Sequence, residues 1–131
     1  MPADPPRVVV TAAVIEKDDA FLVTRRLAGT HLEGYWEFPG GKCHPGESHA
    51  ECLTRELVEE LGARSRIGVE IFSVAHAYPD RVVELHFFQC DLLDQPRPLI
   101  GQQMRWVTRA GLNELTFPPA DAELLRRLRQ L

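Results

Sequence analysis

The hydrophobic pattern changes period once along the chain, near residue 48, and that change orders the prediction. Residues 7–16 and 20–25 are β-branched and apolar, and Lys17-Asp18-Asp19 between them reads as a turn, so the start of the chain predicts a hairpin. Residues 27–35 read as a loop. From Ser48 the period lengthens: Ala50, Leu53, Leu57 and Leu61 recur at helical spacing, Ser48 and Glu51 fit a capping box, and Gly62 stands where a left-handed cap belongs. A helix over 48–61 follows. Strand-like patterning returns over 66–78 and 81–92, with Pro79-Asp80 as the turn. Gln95-Pro96-Arg97-Pro98 is a further loop and 104–108 a short strand. Pro118-Pro119 then opens a last helix striped by Leu124, Leu125, Leu128 and Leu131. The proline-rich residues 1–6 are expected to be disordered.

Strands on either side of one helix, with a second helix at the end, depart from regular βαβ alternation and predict an α+β layered fold. A length of 131 residues suits one domain, 1–131. The net charge of −4 argues against a grip on nucleic acid polymer. Cys43, Cys52 and Cys90 are odd in number and lack CxxC spacing, so they read as small apolar residues and not as a disulfide framework or zinc site. His31, His44, His49, His76 and His86 show no metal-ligand spacing and read as surface or pocket-rim residues. No long apolar run and no charged-then-apolar leader occurs, which predicts a cytoplasmic protein with no membrane partner.

Candidate chemistry concentrates between Gly41 and Gly62. Glu56, Glu59 and Glu60 stand at i, i+3 and i+4 of the predicted helix, so three carboxylates share one face and repel one another unless a cation intervenes. A hard divalent ion takes oxygen ligands while keeping positions open for phosphates. Glu47 joins from the preceding loop, and Arg55 is placed to orient carboxylates by bidentate pairing. Gly40-Gly41-Lys42 is no P-loop, since Cys43 follows where Ser or Thr is required.

The segment GKCHPGESHAECLTRELVEELGA resembles the Nudix box. Gly41, Glu47, Arg55, Glu56, Leu57, Glu59, Glu60 and Gly62 fill its fixed positions, and only Ala63 is smaller than the usual aliphatic residue. Thr24-Arg25-Arg26, Trp36 to Lys42, Tyr78-Pro79-Asp80-Arg81, Gly111-Leu112-Asn113 and Phe117 to Ala120 are similar to the MutT subgroup. The resemblance implies an α/β/α sandwich around a mixed β-sheet. It also implies a Mg2+-dependent (or Mn2+-dependent) pyrophosphohydrolase that cleaves an oxidised purine triphosphate such as 8-oxo-dGTP to the monophosphate and pyrophosphate. On that basis Gly41, Glu56, Glu59 and Glu60 bind the metal, and Glu47 and Arg55 complete the catalytic set. Arg26 faces the nucleotide, while Phe38 and Arg81 wall the base pocket. The partner is a small nucleotide and the enzyme is a monomer or homodimer.

Two positions depart from the subgroup pattern. Ile100 stands where a loop glutamate binds metal, which leaves the catalytic base to one of Glu56, Glu59 and Glu60. Asp121 follows Ala120 where an asparagine is usual. An ionised Asp121 only accepts hydrogen bonds, which suits the amino group of cytosine or adenine, or the N7 hydrogen of an oxidised guanine. Equally, it favours the positive end of the last helix. Three functions compete: the 8-oxo-dGTP enzyme, a pyrophosphohydrolase for cytidine triphosphates or nucleoside diphosphate sugars, and a non-catalytic nucleotide sensor. Trp36 reads as a base-stacking or a core residue, and Glu84 as an exposed strand carboxylate.

Overall fold

A computed structural model describes residues 4–130. The elements are β1 (Arg7–Val14), β2 (Glu16–Lys17), β3 (Ala20–Arg25), β4 (Trp36–Glu37), β5 (Gly40–Lys42), α1 (His49–Leu61), β6 (Ser65–Tyr78), β7 (Arg81–Leu92), β8 (Met104–Thr108) and α2 (Ala122–Arg129). One mixed sheet runs β5-β1-β7-β6, with β1 and β7 parallel. In the second sheet β3 pairs with β2, β4 and β8.

Alternation along β1 explains the layering. Ala12 and Val14 enter one core with Phe21, Phe87 and the leucines of α2, whereas Ala13 and Ile15 enter another with Leu53, Leu57 and Leu61 of α1. A strand buried on both faces has no polar side to show, hence the apolar run at the start of the chain. The result is an α+β sandwich with one helix on each side. Leu53, Leu57 and Leu61 are fully buried, and each contributes roughly 2 kcal/mol by leaving water. Ala63 is also fully buried in the α1 core, so its small size fits the space available.

The predicted opening hairpin needs correction. β1 ends at Val14 and belongs to the mixed sheet, and only Glu16–Lys17 pairs with β3, through a turn at Asp18 and Asp19 with φ of 52° and 61°. Aspartate tolerates this left-handed backbone better than most residues. β4 and β5 are two- and three-residue strands, too short to carry a period. The last helix begins as a 3-10 turn over Pro119–Asp121, and Leu124, Leu125 and Leu128 are buried as the stripe predicts. Leu131 and residues 1–3 lie outside the described residues, while the Pro6 carbonyl accepts a hydrogen bond from the Val82 amide at 2.9 Å, which ties residue 6 to β7. Among the described residues no helix is long and apolar enough to cross a membrane.

Candidate active site

The acidic helix starts and stops as its sequence dictates. The Ser48 hydroxyl accepts from the Glu51 amide at 3.1 Å, and the Glu51 carboxylate accepts in turn from the Ser48 amide at 2.9 Å. Losing such a cap costs about 1 kcal/mol. Gly62 ends the helix with φ of 61°. The rim of the helix is held by Arg55, which donates from Nε and Nη2 to the two oxygens of Glu47 at 2.7 and 2.9 Å. The same guanidinium reaches Glu56 at 2.9 Å, Glu59 at 3.1 Å and the Lys42 carbonyl at 2.9 Å. One arginine therefore gathers three carboxylates and ties α1 to β5.

These carboxylates differ in environment. The Glu47 carboxyl is held down at about 2 by Arg55 and by the His44 amide. Burial pushes Glu60 up to about 8, and the charges of Glu56 and Glu37 add to it. Glu56 is raised chiefly by burial, with Arg55 opposing. Side-chain exposure is 13% for Glu56 and 56% for Glu59, so Glu59 stands at the outer edge of the patch. A Cβ added at Gly41 would fall 2.3 Å from the carboxyl carbon of Glu56, so glycine is required for this approach. Glu56 and Glu60, both held up chiefly by burial, are oxygen donors of the kind a hard divalent cation takes.

Beside Gly40, Gly41 and Lys42 opens a cavity of about 430 Å³, within the usual range for a small-molecule site. Arg26, Phe38, Arg81 and Asp121 all line it, as do Glu37, His31 and Tyr78. Arg26 donates to the His31 carbonyl at 2.7 Å and pairs with Glu37 at 3.3 Å. Arg81 pairs with Asp80 at 2.9 Å. Phe38 stacks on Phe117 at 5.6 Å and meets Phe87 edge-on at 6.0 Å, which fixes an apolar wall. Asp121 is 3% exposed, lines the cavity and makes no side-chain cap hydrogen bond to α2. Burial, with Glu37 adding to it, raises that carboxyl to about 7, so the assumption of a fully ionised Asp121 is corrected.

Other expectations also change. Trp36 is a core residue, buried beneath the guanidinium groups of Arg25 and Arg105, at 6.0 and 5.0 Å from its ring. Ile100 is 48% exposed, and the buried Gln102 beside it donates to the Glu60 carbonyl at 3.1 Å, pinning that loop to the end of α1. Glu84 is half-buried, between Arg7 at 3.5 Å and His86 at 3.1 Å. The sequence places the stretch Trp36-Glu37-Phe38 at the site, and Glu37 and Phe38 do line the cavity; Lys42 as a pocket residue was missed. Sequence reasoning also missed that His49 and His86 meet.

A NUDIX domain model matches residues 10–127. The 8-oxo-dGTP diphosphatase of Escherichia coli K12 is 30% identical over 94% of this chain and 96% of its own length. The CTP pyrophosphohydrolase of the same organism is 34% identical over 88% of this chain and 87% of its own. The solution structure of the E. coli ORF135 protein superimposes with a TM-score of 0.82 at 32% identity, covering 93% of this chain and 88% of that one. With this fold, this acidic helix and these matches, the chain belongs to the Nudix family of hydrolases. Members of that family generally use a divalent metal.

Proposed function

We propose that this Nudix hydrolase is a nucleoside triphosphate pyrophosphohydrolase that acts on 8-oxo-dGTP or a related oxidised nucleotide, releasing the monophosphate and pyrophosphate. The observation that carries the reading is the cavity walled by Gly40, Gly41 and Lys42, directly beside the glutamate patch. A base held between Phe38 and Asp121 leaves its phosphates toward Gly41 and α1. Relatives with 8-oxo-dGTP diphosphatase activity in their names support the substrate class.

Gly41, through its carbonyl, and Glu56, Glu59 and Glu60 would hold Mg2+, with Mn2+ as a substitute. When bound, such a cation neutralises charge on the phosphate oxygens and makes water more acidic. The base is one of the helix glutamates, Glu56, Glu59 or Glu60. Arg55 positions Glu47, Glu56 and Glu59. Lys42, Arg26 and Arg81 set positive charge around the cavity for an anionic substrate. Such a substrate belongs to the cytoplasmic nucleotide pool.

A second reading, a CTP or dCTP pyrophosphohydrolase, is favoured by Asp121 itself, an acid able to accept from the cytosine amino group, and by the CTP-hydrolysing relative. A binding-only nucleotide sensor would not need the complete carboxylate set. The deciding experiment compares 8-oxo-dGTP, dGTP, CTP, dCTP and a nucleoside diphosphate sugar, with product chromatography. Pyrophosphate from 8-oxo-dGTP at the highest kcat/KM is expected. Dominant orthophosphate, or no turnover of any triphosphate, would overturn the proposal.

A further inference from the structure

On the face of the mixed sheet that α1 covers, three side chains remote in sequence converge. His49 is the first residue of α1, Glu70 lies on β6 and His86 on β7, and one donor atom from each lies within 4.8 Å of the others. Their arrangement has identifiable causes. The β6–β7 pairing slips on both sides of Glu70, and such bulges re-aim a side chain. The rings of His49 and His86 lie 4.1 Å apart and tilted by 33°. Glu70 contacts Nδ1 of His86, while Glu84 sits 3.1 Å from its Nε2.

Carboxylates at both nitrogens of one imidazole call for a further positive charge there, a second proton or a metal ion. A neutral ring offers one donor and one acceptor, so one of the two carboxylates faces a lone pair. A metal ion between Nδ1, Glu70 and His49 supplies that charge: Nδ1 becomes a ligand, and Nε2–H donates to Glu84. That is the carboxylate–histidine–metal arrangement, in which the outer carboxylate fixes the tautomer and raises ligand basicity. Arg7, 3.5 Å from the other oxygen of Glu84, steadies that outer partner.

We propose that His49, Glu70 and His86 bind one divalent cation of the zinc class, with Glu84 as the supporting carboxylate. Two imidazole nitrogens and one carboxylate oxygen, with a fourth position left to water, match zinc and disfavour magnesium, which prefers oxygen alone. The site is separate from the glutamate patch. His86 pairs with Thr11 of β1, whose other neighbour is Gly41, so two strand spacings, ~10 Å, divide the two places. A cation here clamps the start of α1 to β6 and β7, and so anchors the helix at the end opposite Glu60.

The test uses the full-length chain saturated with magnesium and titrated with zinc chloride, followed by calorimetry, thermal melting and side-chain imidazole NMR. One zinc per chain, a raised Tm, and shifts confined to the His49 and His86 rings are expected. His49→Gln and Glu70→Gln should each weaken zinc binding at least tenfold and abolish the rise in Tm. Glu84→Gln should weaken it about 10- to 100-fold. Both His49 and Glu70 are partly exposed, so these variants should fold even where one at His86 fails, with circular dichroism as the check. Parent-like zinc affinity in His49→Gln would overturn the proposal, as would loss of binding in Cys43→Ser or Glu56→Gln instead. Absence of zinc binding to the parent would equally sink it.

Discussion

Gly41 and Glu56 occupy space that no side chain at position 41 can share: an added Cβ would lie 2.3 to 2.6 Å from the Glu56 carboxyl atoms. The obstacle is the tip of a flexible side chain, so Gly41→Ala should fold while Glu56 swings away and loses its 2.9 Å bond to Arg55. A fall in kcat/KM of at least about tenfold, some 1.4 kcal/mol, with the Tm nearly unchanged, is expected. Steady-state kinetics beside a thermal melt checks it; a parent-like kcat/KM would mean that the approach has no catalytic consequence.

Glu60→Gln separates activity from stability. A buried acid raised to about 8 is poorly solvated when charged, and glutamine keeps its shape without that charge. In metal-free buffer the variant should melt no lower than the parent, while hydrolysis at saturating magnesium nearly disappears. Turnover equal to the parent would remove Glu60 from the reaction.

Arg55→Lys tests whether orientation matters beyond charge. An ammonium group cannot reproduce the two-point grip on Glu47 while reaching Glu56, Glu59 and the Lys42 carbonyl. The predicted result is a kcat at least tenfold lower and a weaker rise in Tm with magnesium. If lysine restored full kcat, positive charge alone would suffice.

Asp121 makes a pH prediction with a definite sign. Its ordinary value is 3.8 and its folded value about 7. Between those values the unfolded chain has lost a proton that the folded chain retains, so this group's contribution to stability falls as pH rises and levels off above about 7. Asp121→Asn has no such proton, and its advantage over the parent should grow from pH 4 to 8, up to roughly 4 kcal/mol. Urea melts at both pH values measure it; a difference independent of pH would show an ordinary acid. Neutral Asp121 offers a donor and an acceptor as asparagine does, so the parent's ranking of 8-oxo-dGTP against CTP should also change across pH 7, and that of Asp121→Asn should not.

The acidic helix was legible because its signals are local: Ser48, Glu51 and Gly62 act within a few residues, and the leucine stripe needs only the helical period. Strands β6 to β8 were legible from their length and patterning. β4 and β5 were not, since two or three residues define no period and their pairing with β3 and β1 is tertiary. The switch between sheets at Ile15 was equally hidden in an uninterrupted apolar run. Asp121 was read as ionised because a sequence carries no burial, and its proton depends on Glu37 and on exclusion of water. His49 and His86 showed no ligand spacing because the bulged β6–β7 pairing brings them to Glu70.

The place of β1 between β5 and β7 also governs when the site comes into being. Its register joins residue 7 to residue 82 and residue 11 to residue 86, so the strand that seats Gly41 is completed only by closing a very long stretch of chain. Closure on that scale is slow and precedes the contacts that reward it. A nascent chain that has emerged only as far as α1 carries every box glutamate but lacks β7, the strand beside which β1 must settle. Hydrolysis should therefore appear late in refolding, together with protection of the β1 amides from exchange, and after the helical signal of α1.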